Sequence, residues 1–192
     1  APNDQRQRNR IFQDRFSDFL FYAGGGSDVR GWTPQLAGAK VLQRSNLAAD
    51  DFVYRPIGAQ TKLGVNLEVR LPFPGLSSSW GTAAFFDAAY LATGDLNLTP
   101  PPGVLVPTDP NGNVVASEPD DFLAGTGLGV RYDTPFGFVR VDVAVKLTTD
   151  RLDLRDAGDV GDAVIEQNLP LETVSTKATR RVRLHFGIGR SF

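Results

Sequence analysis

The chain has 192 residues, enough for one domain with a sizeable core, and a formal net charge of -2. With Lys and Arg spread along its length there is no electrostatic case for nucleic acid, and no nucleic-acid partner is expected. Cys is absent, which excludes disulfides and thiolate metal sites, and no run approaches the ~18 consecutive apolar residues of a membrane helix.

The sequence shows neither Met nor a charged-then-apolar leader, so a mature form or part of a longer protein is expected. Gly 20 and Pro 13 with hardly any helical periodicity point to an all-β chain. Residues 1–22 read as a connection or partial strand: Ala1 to Arg10 is polar and Arg-rich, and Ile11 to Tyr22 is aromatic-rich but irregular. Residues 23–56 contain a glycine cluster and no convincing strand, and read as one long loop.

Residues 57–192 hold five strands with period-2 alternation. Thr61, Leu63, Val65, Leu67, Val69, Leu71 and Phe73 oppose Lys62, Gly64, Asn66, Glu68 and Arg70. Trp80, Thr82, Ala84, Phe86, Ala88 and Tyr90 oppose Gly81, Ala83, Phe85, Asp87 and Ala89. Phe122, Ala124, Thr126, Leu128, Val130 and Tyr132 oppose Gly125, Gly127, Gly129 and Arg131. Val139, Val141, Val143, Val145 and Leu147 oppose Arg140, Asp142, Ala144 and Lys146. In the last strand Val182, Leu184, Phe186, Ile188, Arg190 and Phe192 oppose Arg181, Arg183, His185, Gly187, Gly189 and Ser191.

One face meeting lipid and the other a wet lumen is the requirement of a transmembrane β-barrel. Pro74 to Ser79 and Asp133 to Gly137 are short connections, whereas Ala92 to Asp121 and Thr148 to Thr179 are long, matching the periplasmic turns and extracellular loops of such barrels. A soluble β-sandwich or lipocalin-like barrel would also alternate, with the charged faces outside and the long loops free to bind. The glycine face of the third strand favours a barrel, because Gly weakens a strand unless it marks a bend or a close approach to the backbone.

Three segments carry a family resemblance: FLFYAGGGSDVRGW (residues 19–32), GVNLEVRLPF with WGTAAFFDAAY (64–73 and 80–90), and GTGLGVRYDTPFGFVRVD (125–142) with HFGIGRSF at the end (185–192). From about Phe16 onward the chain resembles the C-terminal barrel part of the BamA/TamA superfamily of outer-membrane assembly factors, the bacterial surface antigens. The resemblance implies an antiparallel transmembrane β-barrel of about 16 strands, of which these are the last five. It implies a long loop that folds into the lumen and carries Val29, Arg30, Gly31 and Trp32; the family has Phe or Tyr where this chain has Trp32.

It also implies that Arg30 pairs in the lumen with Glu68 and Asp87. Both lie on the faces assigned to the lumen, on adjacent strands, and an Arg fork suits carboxylates. Without the family, a solvated Arg30 and two unrelated lumen charges would be the better account of the residues. Thr134, Pro135, Phe136 and Gly137 are expected to form a periplasmic turn. Phe186, Gly187, Gly189 and Phe192 belong to the strand expected at the seam with the barrel's first strand.

Other candidates have plainer readings. Gly24, Gly25 and Gly26 lack the strand–loop–helix setting and Lys of a phosphate loop and read as a tight turn. His185, the single histidine, makes a multi-histidine metal site impossible and reads as a lumen-facing spacer. Asp153, Asp156, Asp159 and Asp162 match no calcium-loop spacing and read as a solvated loop. Asp109, Pro110, Asn111 and Gly112 read as a turn. No catalytic constellation, cofactor or metal site is expected.

The implied function is insertion or assembly of client β-barrel proteins in the bacterial outer membrane, with the C-terminus periplasmic and the long loops outside. Expected partners are outer-membrane lipids, client barrel proteins, the remaining barrel strands and POTRA domains. Alternatives are a two-partner secretion transporter, a passive pore, and a membrane anchor for a fused enzyme such as a patatin-like lipase. Five strands cannot close a membrane barrel, since the smallest have ~8, so the others are expected elsewhere in a longer protein, on a separate chain or in further copies.

Overall fold

The computed structural model describes residues 20–46, 49–93, 108–109, 112, 114–117 and 120–189. Expectations for Ala1 to Arg10, for most of Ile11 to Tyr22, for much of Ala92 to Asp121, and for Phe192 lie outside the described residues. The strands are β1 (Lys40–Asn46), β2 (Ala49–Pro56), β3 (Thr61–Pro72), β4 (Trp80–Ala92), β5 (Asp120–Thr134), β6 (Gly137–Lys146) and β7 (Val182–Gly189). β3 to β7 form one five-stranded antiparallel sheet in chain order, with β3 and β7 at its edges. No described helix is long and apolar enough to cross a membrane.

The five strands fall where the alternation is strongest, because each such segment offers one apolar and one polar face to a pleated sheet. The β5–β6 connection is tight. Thr134 pairs with Gly137, its hydroxyl donates to the Gly137 carbonyl at 2.6 Å, and Phe136 at the tip is 94% exposed. Pro135 and Phe136 leave no length for anything but a hairpin turn.

The faces are inverted relative to a soluble sandwich. Leu63, Leu128, Phe186 and Ile188 on the apolar face are 67%, 68%, 76% and 89% exposed, whereas Asp87 and Asp142 on the polar face are fully buried. The apolar face carries aromatic residues near both rims. Trp80 and Tyr132 are cross-strand partners with ring centroids 4.8 Å apart at the short-turn end, and Tyr90 pairs with Phe122 at the other. From Trp80 to Tyr90 the strand rises ~34 Å, or ~26 Å at a usual tilt, which matches the ~25 Å apolar band of an outer-membrane barrel. The chain is thus all-β, with the faces a membrane barrel requires.

On the polar, inner face rests the segment from residue 20 to 39. Its apolar side chains Ala23, Val29, Trp32 and Ala37 pack with Ala59, Ala89, Leu91 and Leu123. A second cluster lies beyond the long-loop rim: Leu42, Phe52, Val115, Leu152, Val160, Val164 and Val174. This cap joins the β1–β2 hairpin, residues 114–117, and the connection between β6 and β7. That connection contains a single turn α1 (Ala157–Val160) running into a π-helical turn, Gly161–Glu166.

The hairpin corrects the reading of residues 23–56 as a loop without strands. Lys40 is a charged residue at a buried position, and neither strand keeps an apolar face along its length, so neither reads as amphipathic. The hairpin is held instead from far along the chain. Leu42 and Phe52 enter the cap cluster, and the Leu42 N–H donates to the Val115 carbonyl at 2.9 Å.

Candidate functional site

The glycine-led motif is a turn that presses its tip onto the inner face of the sheet. Gly24 and Gly25 have φ of +107° and +102°, and the Gly25 N–H donates to the Trp32 carbonyl at 3.2 Å, closing the turn. Asp28 accepts from the Gly24 N–H at 2.9 Å and from Lys62 Nζ at 2.8 Å, while Asn66 Nδ2 donates to the Asp28 carbonyl at 2.8 Å. These contacts fix the turn to β3 before Arg30 is reached.

Arg30 is 4% exposed and meets Asp87 in three ways: its Nε donates to Oδ2 at 2.6 Å, its Nη2 to Oδ1 at 2.9 Å, and its backbone N–H to Oδ2 at 3.1 Å. Its Nη1 donates to Glu68 Oε2 at 2.9 Å. The guanidinium lies 3.4 Å above the Phe85 ring, a cation–π contact that also covers it from water. Glu68 further accepts from Arg70 Nε at 2.7 Å and from Arg131, so the acid on the edge strand is shared among three arginines. Thus Arg30, Glu68 and Asp87 stand together.

The glycine face of β5 explains how the tip approaches so closely. A Cβ at Gly125 would lie 2.4 Å from the Arg30 carbonyl, and one at Gly127 would lie 2.4 Å from the Phe85 ring. β5 is therefore a floor between Asp87 on β4 and Asp142 on β6, where any side chain would lift the tip. Asp142 is a third acid beside Arg30, at 3.5 Å from Nη1, and is also 3.6 Å from Arg140 Nε. It lay on the expected inner face, but nothing in its spacing ties it to Arg30.

Gly31 has φ of +113°, and a Cβ there would meet Lys146 at 3.2 Å, so conformation and space both call for glycine. Its N–H donates to His185 Nε2 at 3.2 Å. His185 faces inward as expected, yet it is a partner of the tip rather than a spacer. Its position on the polar face of β7 was the one available signal.

Trp32 carries the contact that the sequence hid most completely. Its indole Nε1 donates to both oxygens of Asp153 at 3.0 Å, and Lys146 Nζ stands 5.2 Å from its ring centroid. Asp153 is 5% exposed and lies 3.0 Å from Lys40 Nζ and 3.6 Å from Lys146 Nζ, while Lys40 also reaches Asp150 at 2.5 Å. Reading the acidic loop as solvated is therefore wrong for Asp153. It is the buried meeting point of the tip, the hairpin and the cap.

Lys40 and Asp153 of that centre lie outside the five strands of the sheet. Burial works against the Lys40 ammonium, but Asp153 and Asp150 outweigh it and hold its pKa above the ordinary 10.5. Burial works equally against the Asp153 carboxylate, and Lys40, Lys146 and the Trp32 hydrogen bond outweigh it and hold its pKa below 3.8.

Of the remaining expected residues, only Val29 belongs to the tip. Val29 is buried in the cluster beneath it, Thr134 to Gly137 form the hairpin turn at the opposite rim, and Phe186 projects outward from β7. Gly187 and Gly189 pair with Arg140 and Phe138, and a Cβ would fall 2.7 Å from Arg140 Nε and 2.5 Å from the Phe138 ring. Each glycine is a seat for the large side chain opposite.

Comparison with known families places a match over nearly all of the chain. The model of the Omp85 superfamily domain fits residues 15–192. No curated protein and no solved structure matches.

Proposed function

Because the chain belongs to the Omp85 superfamily, an outer-membrane family of protein insertion and secretion factors, we propose that it inserts client β-barrel proteins by offering β7 as a template. A client strand in lipid has N–H and C=O groups that the hydrocarbon cannot satisfy. An edge strand supplies the complementary groups, as in β-augmentation. The observation that carries this reading is the outward face of β7, where Leu184, Phe186 and Ile188 are exposed and apolar, in a chain that belongs to this family. In the intact barrel that edge meets the first strand, and parting there admits the client.

In this reading the C-terminus and the Thr134–Gly137 turn face the periplasm, and the cap faces outward. Arg30, Glu68 and Asp87 brace the tip in the lumen. The partners are lipid, client barrels, the other barrel strands and POTRA domains, and no enzymatic chemistry is involved.

The test reconstitutes the intact protein in liposomes, adds an unfolded outer-membrane barrel protein, and follows its folding by heat-modifiable gel mobility. Faster folding than in empty liposomes is expected, and Gly189→Val should abolish the gain while the barrel itself stays folded. Translocation of a soluble partner with no gain in client folding would favour the secretion reading and overturn this one.

A further inference from the structure

We propose that His185 is a positioning residue through which the lumen tip holds the seam strand β7 against β6, so that withdrawal of the tip loosens that strand. The inference rests on the seam reading above and adds what governs the seam.

Few side chains of β7 tie it to the lumen side. Its backbone ladder runs to β6 alone among the described strands, and its outward Leu184, Phe186 and Ile188 are exposed. On the inner face, positions 187 and 189 are glycines that only seat Arg140 and Phe138 of β6, and Arg183 is half-buried. His185 is the one buried side chain of β7.

Its contacts are with the tip. The Gly31 N–H donates to Nε2 at 3.2 Å, and Gly26 packs on the same residue, where a Cβ would lie 3.3 Å from His185 Cβ. Accepting at Nε2 requires neutral imidazole with its proton on Nδ1. One strand away, Arg140 crosses over the seat left by Gly187 and donates to the Gly26 carbonyl. The tip thus grips the β6–β7 pair at two successive inner levels, since Asp142 pairs with His185 and Arg140 with Gly187.

The donor is not free to drift. The Gly31 N–H sits between Arg30, fixed by Asp87, and Trp32, fixed by Asp153. The ion pair therefore sets where the donor stands, and His185 transmits that position to the seam. Lifting the tip removes both grips at once and leaves β7 joined to β6 by the backbone ladder without support from the lumen side.

Hydrogen exchange of the intact protein in lipid nanodiscs, resolved by strand, tests this. His185→Phe keeps a ring and loses the acceptor; β7 amides should exchange about tenfold faster, with β4 and β5 unchanged. His185→Gln, whose Oε1 can accept from Gly31, should restore most of the protection. Arg140→Met releases the second grip without altering β7, and covers the case in which the Phe variant fails to fold. Unchanged β7 exchange in the folded variants, or no rescue by Gln, overturns the proposal. Client folding is measured alongside: faster β7 exchange with unaltered client folding upholds the link and sinks the template reading instead.

Discussion

The guanidinium of Arg30 faces three acids, and they are not equivalent. Asp87 is fully buried, takes three hydrogen bonds from Arg30 and a fourth from Asn66 Nδ2 at 2.9 Å. Glu68 has a side chain 16% exposed and divides itself among Arg30, Arg70 and Arg131. Removing one partner of a buried pair leaves an uncompensated charge, so Asp87→Ala should destabilise the fold by about 3–5 kcal/mol. Glu68→Ala should cost less, about 1–3 kcal/mol, because water reaches its site and Arg30 keeps Asp87. Urea unfolding in detergent micelles measures both, and equal losses would contradict the ranking.

Among the elements, the cap and the lumen tip are one mechanical piece. Lys40 from β1, Asp150 and Asp153 from the β6–β7 connection, and Trp32 from the tip meet in one buried centre. Its pH dependence has two limbs of opposite sign. The raised pKa of Lys40 gives stability that is complete below 10.5 and lost as pH rises through the higher folded value. The lowered pKa of Asp153 gives stability that is complete above 3.8 and lost as pH falls through the lower folded value. In a Trp80→Phe background, emission from Trp32 should hold steady between those limits and shift to the red outside them. A transition near neutral pH would show that other groups govern the tip.

For the whole molecule, the surface that matters is the apolar face of the sheet. Its exposed Leu, Val, Ile and Phe side chains form far too large a patch for a monomer in water. Lipid is the solvent that makes it stable. Charge on that face should therefore cost according to depth: Leu67→Arg at mid-strand about 2–4 kcal/mol, and Thr61→Arg near the long-loop rim about 0–1 kcal/mol. Folding titrations in lipid vesicles give both values, and no difference between the two sites would argue against a bilayer around the sheet.

Period-2 alternation was enough to place β3 to β7 and to divide each into two faces, because successive side chains of a pleated strand point to opposite sides; the family resemblance was needed to say that the apolar face meets lipid. Arg30, Glu68 and Asp87 could be named in advance, the acids from their faces and their pairing with Arg30 from the family motif. Asp153, Lys40 and His185 could not be joined to that motif, since each reaches it from a distant segment and no local periodicity marks a long-range contact. The hairpin β1–β2 was hidden for the same reason: it is held by Leu42 and Phe52 in the cap rather than by a pattern of its own. The sequence alone determined the strands of the sheet and their two faces, because side-chain polarity is written residue by residue, and its family motifs assigned lipid to the apolar one. Only the tertiary structure decided what holds the tip, because ion pairs and hydrogen bonds depend on which side chains the fold brings within about 3 Å of each other.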